Sequence, residues 1–122
     1  MKINQLGVAL VSVMTALSVA HSAEFPASFL VPTAQELTAH VAGKTARGTH
    51  ANGAAVQSVY GTDGTLTATA PGFNETGRWR SEDGKICGSL PKIGEFCNDA
   101  RFDAGVLHMR RTNGEIVRYD VK

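Results

Sequence analysis

Few residues in this chain could do chemistry, and their spacing excludes most of it. His21, His40, His50 and His108 are scattered, whereas a metal site built on one element needs its ligands a helical turn or a strand step apart. One variant is specific: a chain beginning at Val19-Ala20-His21 would present an amine, amides and an imidazole to copper. Cys87 and Cys97 are the only cysteines. Neither the C-x-x-C spacing of a redox centre nor the Cys/His set of a zinc site accompanies them. In an oxidising compartment such a pair closes a disulfide. The stretch between them contains Pro91 and Gly94, so it can reverse direction and set the two cysteines on neighbouring strands. No nucleophile elbow, phosphate loop or paired-carboxylate motif is present. Ser58 lacks a histidine partner. The expectation is a protein that is not an enzyme and holds no metal or cofactor.

The arginines are more suggestive. Arg78, Arg80, Arg110 and Arg118, with Arg101 beside them, fall on outward faces in the strand registers derived below. A guanidinium presents a planar fork that grips carboxylates in pairs of hydrogen bonds. A cluster of them would dock an acidic macromolecular surface or an anionic glycan. The plainer role of such residues is to keep a sheet solvated and its edges unpaired.

Positioning these groups falls to one small domain. The chain has 122 residues, 43% hydrophobic and 19% charged, enough for a single modest core. Twelve basic side chains face eleven acidic ones. That balance removes the long-range attraction on which nucleic-acid binding depends. Residues 1–22 read as a secretory signal: Lys2, an apolar run from Leu6 to Ala20, then small-residue exits after Ser18, Ala20 or Ser22. The run is short for a membrane span, so no stable anchor is expected and the location is periplasmic or secreted. Residues 23–32 read as an extended, mobile leader and 33–122 as the folded domain.

Asx-Gly turns punctuate that domain at Asn52-Gly53, Asp63-Gly64, Asp83-Gly84 and Asn113-Gly114, with Asp103-Ala104-Gly105 a looser relative. Between them lie β-capable stretches at 44–50, 54–60, 65–70, 77–81, 85–90, 96–101, 106–111 and 115–121. Strands at this rhythm make an all-β antiparallel meander of about eight strands, which can curl into a small barrel. Facing then selects turn length. A three-residue loop at Thr112-Asn113-Gly114 pairs Met109 with Val117 and Leu107 with Tyr119, gathering the apolar residues on one face. Gly114 takes the left-handed position of that turn. The same rule at Thr62-Asp63-Gly64 aligns Val56, Tyr60, Leu66, Ala68 and Ala70. At Glu82-Asp83-Gly84 it sets Trp79 opposite Cys87 and turns Ile86 outward. One short helix precedes the strands, with Thr33 and Glu36 forming a capping box and Gly43 as its stop.

Glu36-Leu37, Gly43-Lys44-Thr45, Tyr60, Asp63-Gly64-Thr65, Gly77-Arg78-Trp79, Asp83-Gly84-Lys85-Ile86-Cys87 and Cys97 occur in that order. This order resembles a family of small secreted proteobacterial proteins, Rhizobiales-type, of unknown function. The resemblance implies export and a β fold and carries no activity.

Two functions fit these readings. The first is an exported interaction module, an inhibitor, adaptor or host-facing factor that holds its partner through Arg78, Arg80, Arg110 and Arg118. The alternative is a carrier of a small apolar ligand in a lipocalin-like barrel. Its pocket would be lined by Val56, Tyr60, Trp79, Leu107 and Tyr119, with small residues such as Ala68 and Ala70 leaving room.

Overall fold

The structure is a computed structural model that describes residues 23–122; the expected signal segment, its three exits and His21 lie outside the described residues. The helix α1 spans Ala34–Val41, and its capping box is complete. The Thr33 hydroxyl accepts the Glu36 N–H at 3.1 Å, and Glu36 accepts the Thr33 N–H at 3.2 Å. Leu37 and Val41, on one face, are fully buried.

The strands are β1 (Lys44–Thr49), β2 (Ala55–Tyr60), β3 (Thr65–Ala70), β4 (Phe73–Glu82), β5 (Lys85–Leu90), β6 (Gly94–Asp103), β7 (Val106–Arg110) and β8 (Ile116–Val121). Each pairs antiparallel with the next, and β8 returns to β1, closing an eight-stranded barrel. Closure leaves no sheet edge to protect. Outward positions carry Arg47, Gln57, Thr67, Thr69, Asn74 and Thr76, so no apolar band surrounds the wall as lipid contact would require. No helix among the described residues is long and apolar enough to cross a membrane.

Two registers match expectation. Met109 pairs with Val117 and Leu107 with Tyr119, across a turn in which Gly114 has a φ of 91°. Tyr60 pairs with Leu66 and Ser58 with Ala68. The third does not. The turn after β4 has two residues, so Glu82 pairs with Lys85, Arg80 with Cys87 and Trp79 with Gly88. This single-residue slip turns Ile86 inward, where it is 2% exposed, and moves the Cys87–Cys97 disulfide to the outer wall between β5 and β6.

The cause is the fate of one carboxylate. In the three-residue turns the Asx side chain bonds two residues ahead: Asn52 to the Ala54 N–H, Asp63 to that of Thr65, and Asn113 to that of Glu115. Asp83 instead accepts the N–H of Ala34 at 2.8 Å, at the start of α1, and the Gly84 N–H donates to the Pro32 carbonyl. The segment before the helix therefore holds this turn. Gly88, inward and beside Trp79, also has to be glycine: a Cβ there would sit 2.7 Å from the Phe96 ring.

The strands β4 and β6 exceed the expected 77–81 and 96–101. In β4 the extension carries Glu75 on the inward side, a residue that argues against burial in sequence. Glu75 is 7% exposed, and its carboxylate accepts the Lys92 backbone N–H at 2.9 Å, tying β4 to the turn after β5.

The leader, expected to be extended and mobile, bends through a turn in which the Phe29 N–H donates to the Pro26 carbonyl at 3.0 Å, and it is docked. Leu30 forms a two-way backbone bridge with Phe102. The Ala23 N–H donates to the Gly114 carbonyl. Phe29 packs at a tilt against His108, with ring centroids 4.8 Å apart. The Phe25 ring lies under the guanidinium groups of Arg101 and Arg110, at 5.1 and 5.6 Å. Aromatic residues and a row of outward cations supply the adhesion.

Candidate functional site

The barrel's two ends differ. At one end α1 lies across the opening, and Leu37, Val41, Ala100 and Leu107 are completely buried. At the other end, ringed by the turns after β1, β3, β5 and β7, the interior opens into a cavity of about 520 Å³. Pockets of several hundred cubic ångströms suit small-molecule ligands.

Side-chain alternation builds this cavity. Inward positions of β2 and β3 carry Val56, Ser58, Ala68 and Ala70, and Ala54 precedes them in the turn, side chains too short to meet across a barrel. Phe73, Leu90, Phe96 and Met109 supply apolar wall, and Tyr60, Leu66 and Ile86 line the deep end. Polar groups converge at the mouth, in the turns after β1 and β7 and on β6. Arg111 and His50 are the charged or titratable residues on the lining there, and Asn98 and Thr112 flank them. Arg111 donates to Glu115 at 2.6 Å, and Glu115 also accepts the Ala51 backbone N–H. Those hydrogen bonds hold the Glu115 carboxyl below the usual range, led by the one from Ala51.

Burial, reinforced by the nearby Arg111 cation, lowers the pKa of His50, so the imidazole is neutral at pH 7. Burial also keeps both tyrosines on the wall protonated: the Tyr119 phenol is pushed up to about 12, and that of Tyr60 higher. The interior therefore offers phenol, imidazole and guanidinium hydrogen-bonding groups around an apolar hollow.

Of the five residues expected in a pocket, Val56, Tyr60 and Tyr119 line this cavity. Leu107 is fully buried below it. Trp79 sits beside the closed end, where its indole N–H donates to the Gly61 carbonyl at 2.9 Å and its ring packs edge-on to Tyr60. Arg111 escaped notice although the signal was there: it shares the alternation of Leu107 and Met109, which directs it inward.

The arginines do not form one face. Arg78 and Arg80 lie on β4, while Arg110 and Arg118 lie on β7 and β8, three and four strands away around an eight-strand ring. Arg78 donates to the Asp63 carbonyl, and Arg80 pairs with Glu82 at 2.9 Å. Arg110 clamps Asp99 through Nε and Nη2, at 3.2 and 2.6 Å, and donates to the Ala23 carbonyl. Arg101 donates to the carbonyls of Gly84 and Ala100. Arg118 is exposed. Much of this set is thus occupied by the protein's own turns and leader.

The histidines are likewise dispersed. His40, on α1, packs edge-on to Phe102, His108 lies under the leader, and His50 stands at the mouth. Among the described residues the one close trio of metal-capable side chains is Glu82, Cys87 and Cys97, whose sulfurs are joined to each other and so cannot act as thiolate ligands. Compared with known proteins, the chain matches no family model, no curated protein and no solved structure.

Proposed function

We propose that this protein is an exported carrier, periplasmic or secreted, that takes a small and largely apolar molecule into the open end of its barrel. The observation that carries this reading is the cavity of about 520 Å³ at one end of a barrel whose other end is covered by α1, with Leu37, Val41 and Leu107 fully buried beneath it. A domain of this size gains stability by filling its interior. A barrel that fills one end and lines the other with alanines leaves room suited to a guest. Export is supported by the disulfide, which persists in oxidising compartments, and by the signal-like segment. An interaction module built on the arginines has weaker support. Those residues are divided between distant strands, and two of them hold the leader.

Native mass spectrometry of protein recovered gently from the exported fraction tests the proposal. The expected result is an adduct that is lost on mild activation, and lost from Ala68→Phe, whose ring would occupy the hollow. Bare protein that also takes up no apolar fluorescent probe would overturn the carrier reading. So would normal loading of a folded Ala68→Phe protein.

A further inference from the structure

We propose that the ligand is a monocarboxylate with an apolar tail, bound tail-inward, and that Arg111 anchors its head at the mouth. This rests on the carrier reading and names the class of molecule carried.

The argument starts from how the two neighbouring arginines spend their donors. Arg110 uses the Nε/Nη2 edge of its guanidinium to bring both donors onto Oδ2 of Asp99, and that edge presents the two parallel N–H groups that a planar carboxylate can accept. Arg111 faces the other way, into the barrel. It spends Nη1 on Glu115, and among the described residues its Nε and Nη2 make no hydrogen bond. The edge that Arg110 devotes to a carboxylate is therefore unspent in Arg111, on the lining of an apolar cavity.

The surroundings select a single negative charge. Arg111 is the one arginine or lysine on the lining, which includes no carboxylate; the negative charges nearby are already paired, Glu115 with Arg111 at 2.6 Å and the inward Glu75 with Lys92 at 4.0 Å. Both Glu115 oxygens are already engaged, one by Arg111 and one by the Ala51 N–H. That bond fixes Arg111 in place and leaves its outer edge turned away from Glu115. His50, kept neutral by burial and by Arg111, adds a hydrogen bond and no second cation. A doubly charged phosphate would lack its counter-charge here.

The tail is set by depth. The cavity lining runs from Ala54, just before β2, along that strand to Tyr60, about 20 Å of extended chain and about 15 Å along a barrel axis to which strands tilt by roughly 40°. Its deep end is Tyr60, Leu66 and Ile86, an environment for methylenes. A medium-chain acid fits that depth with its head at Arg111.

The test uses three probes that share a tail: decanoate, decanol and decyltrimethylammonium, titrated calorimetrically into the full mature protein. Decanoate should bind at least tenfold more tightly than decanol, and the cation most weakly. Arg111→Gln should erase the preference for decanoate while leaving decanol affinity within about twofold. Glu115→Gln keeps an acceptor for Ala51 but withdraws the competing charge, and should tighten decanoate alone. It also keeps the proposal testable if Arg111→Gln folds poorly. Equal affinity for decanoate and decanol, or a preference that survives Arg111→Gln, would overturn the anchor while leaving the carrier reading intact. Failure of all three probes to bind would overturn both.

Discussion

The closed and open ends of the barrel are built from the same strands with the same alternation, yet they do opposite things. On β7 and β8, Leu107 and Tyr119 serve the interior toward the helix, while Met109, Arg111 and Val117 continue the same inward row toward the mouth. The difference lies in what meets these rows across the barrel. Toward the helix, Leu37 and Val41 descend from α1 and close the gap to zero exposure. Toward the mouth β2 and β3 offer the short side chains of Val56, Ser58, Ala68 and Ala70, and Ile93 at the rim is 56% exposed. Alternation decides which residues face inward. Side-chain volume and one added helix decide whether the inside is a core or a site.

The largest effect that could break this contrast comes from one kind of deletion made at each end. Leu107 is fully enclosed, whereas Leu90, at 4% exposure, lines the cavity and already lacks neighbours on one side. Leu107→Ala should cost about 3–5 kcal/mol, and Leu90→Ala about 2, because a wall that faces empty space forfeits fewer contacts. Denaturant unfolding measures both. Equal losses would mean that the open end is packed in solution as tightly as the other.

Alkaline titration asks whether the region between the ends stays dry. Tyr119 and Tyr60 hold their protons more tightly in the folded barrel than in the unfolded chain, where phenols titrate near 10. Their contribution to stability is therefore complete below pH 10 and is lost as pH rises through the folded value, about 12 for Tyr119. Stability should fall by about 2–3 kcal/mol across that interval for Tyr119 alone, with a further loss from Tyr60, and phenolate absorbance should lag that of the unfolded protein. Simple titration of both tyrosines near pH 10 would show water reaching them.

Adding volume reverses the sign of the comparison. Ala100, completely buried at the closed end, has no space to give, so Ala100→Leu should cost about 1–3 kcal/mol through overpacking. Ala68→Leu at the cavity wall should leave the thermal midpoint unchanged or raise it. A loss at Ala68 equal to that at Ala100 would remove the distinction.

The barrel was legible because its rules are local. Turn residues mark the strand ends, alternation marks the faces, and two three-residue turns could be chosen by asking which register keeps Leu107, Met109 and Val117 together. The turn at Asp83 could not be read this way. Its length depends on a hydrogen bond to Ala34, 49 positions away, and nothing near Asp83 distinguishes it from Asp63. Cys87 and Ile86 exchange faces relative to expectation for that reason, while Trp79 keeps its inward face and changes only its partner, to Gly88. Half of the site failed similarly. Val56, Tyr60 and Tyr119 follow from alternation alone, but which end is empty depends on where α1 lies across the barrel. Arg111 was readable in principle. An arginine on an apolar row looks like a strand end until the row is known to continue into a cavity.

The smallest effect concerns the leader, which lies outside both ends and should be energetically separate from them. Phe25 sits under Arg101 and Arg110, and exposed cation–π contacts are worth about 0.5–1 kcal/mol. Arg110 keeps Asp99 whatever happens to Phe25, so Phe25→Ala should cost no more than about 1 kcal/mol. It should mainly raise the amide exchange rate of Leu30, whose N–H donates to the Phe102 carbonyl at 2.8 Å. Exchange at Met109 and Val117, inside the barrel wall, should not change. Combined with Leu107→Ala, the two losses should add within about 0.5 kcal/mol, as they do for sites that share no partner. A strong coupling would mean that the leader is part of the core's cooperative unit. The closed end would then extend over β6 and β7, and the division between a packed end and a docking end would have to be redrawn around the leader.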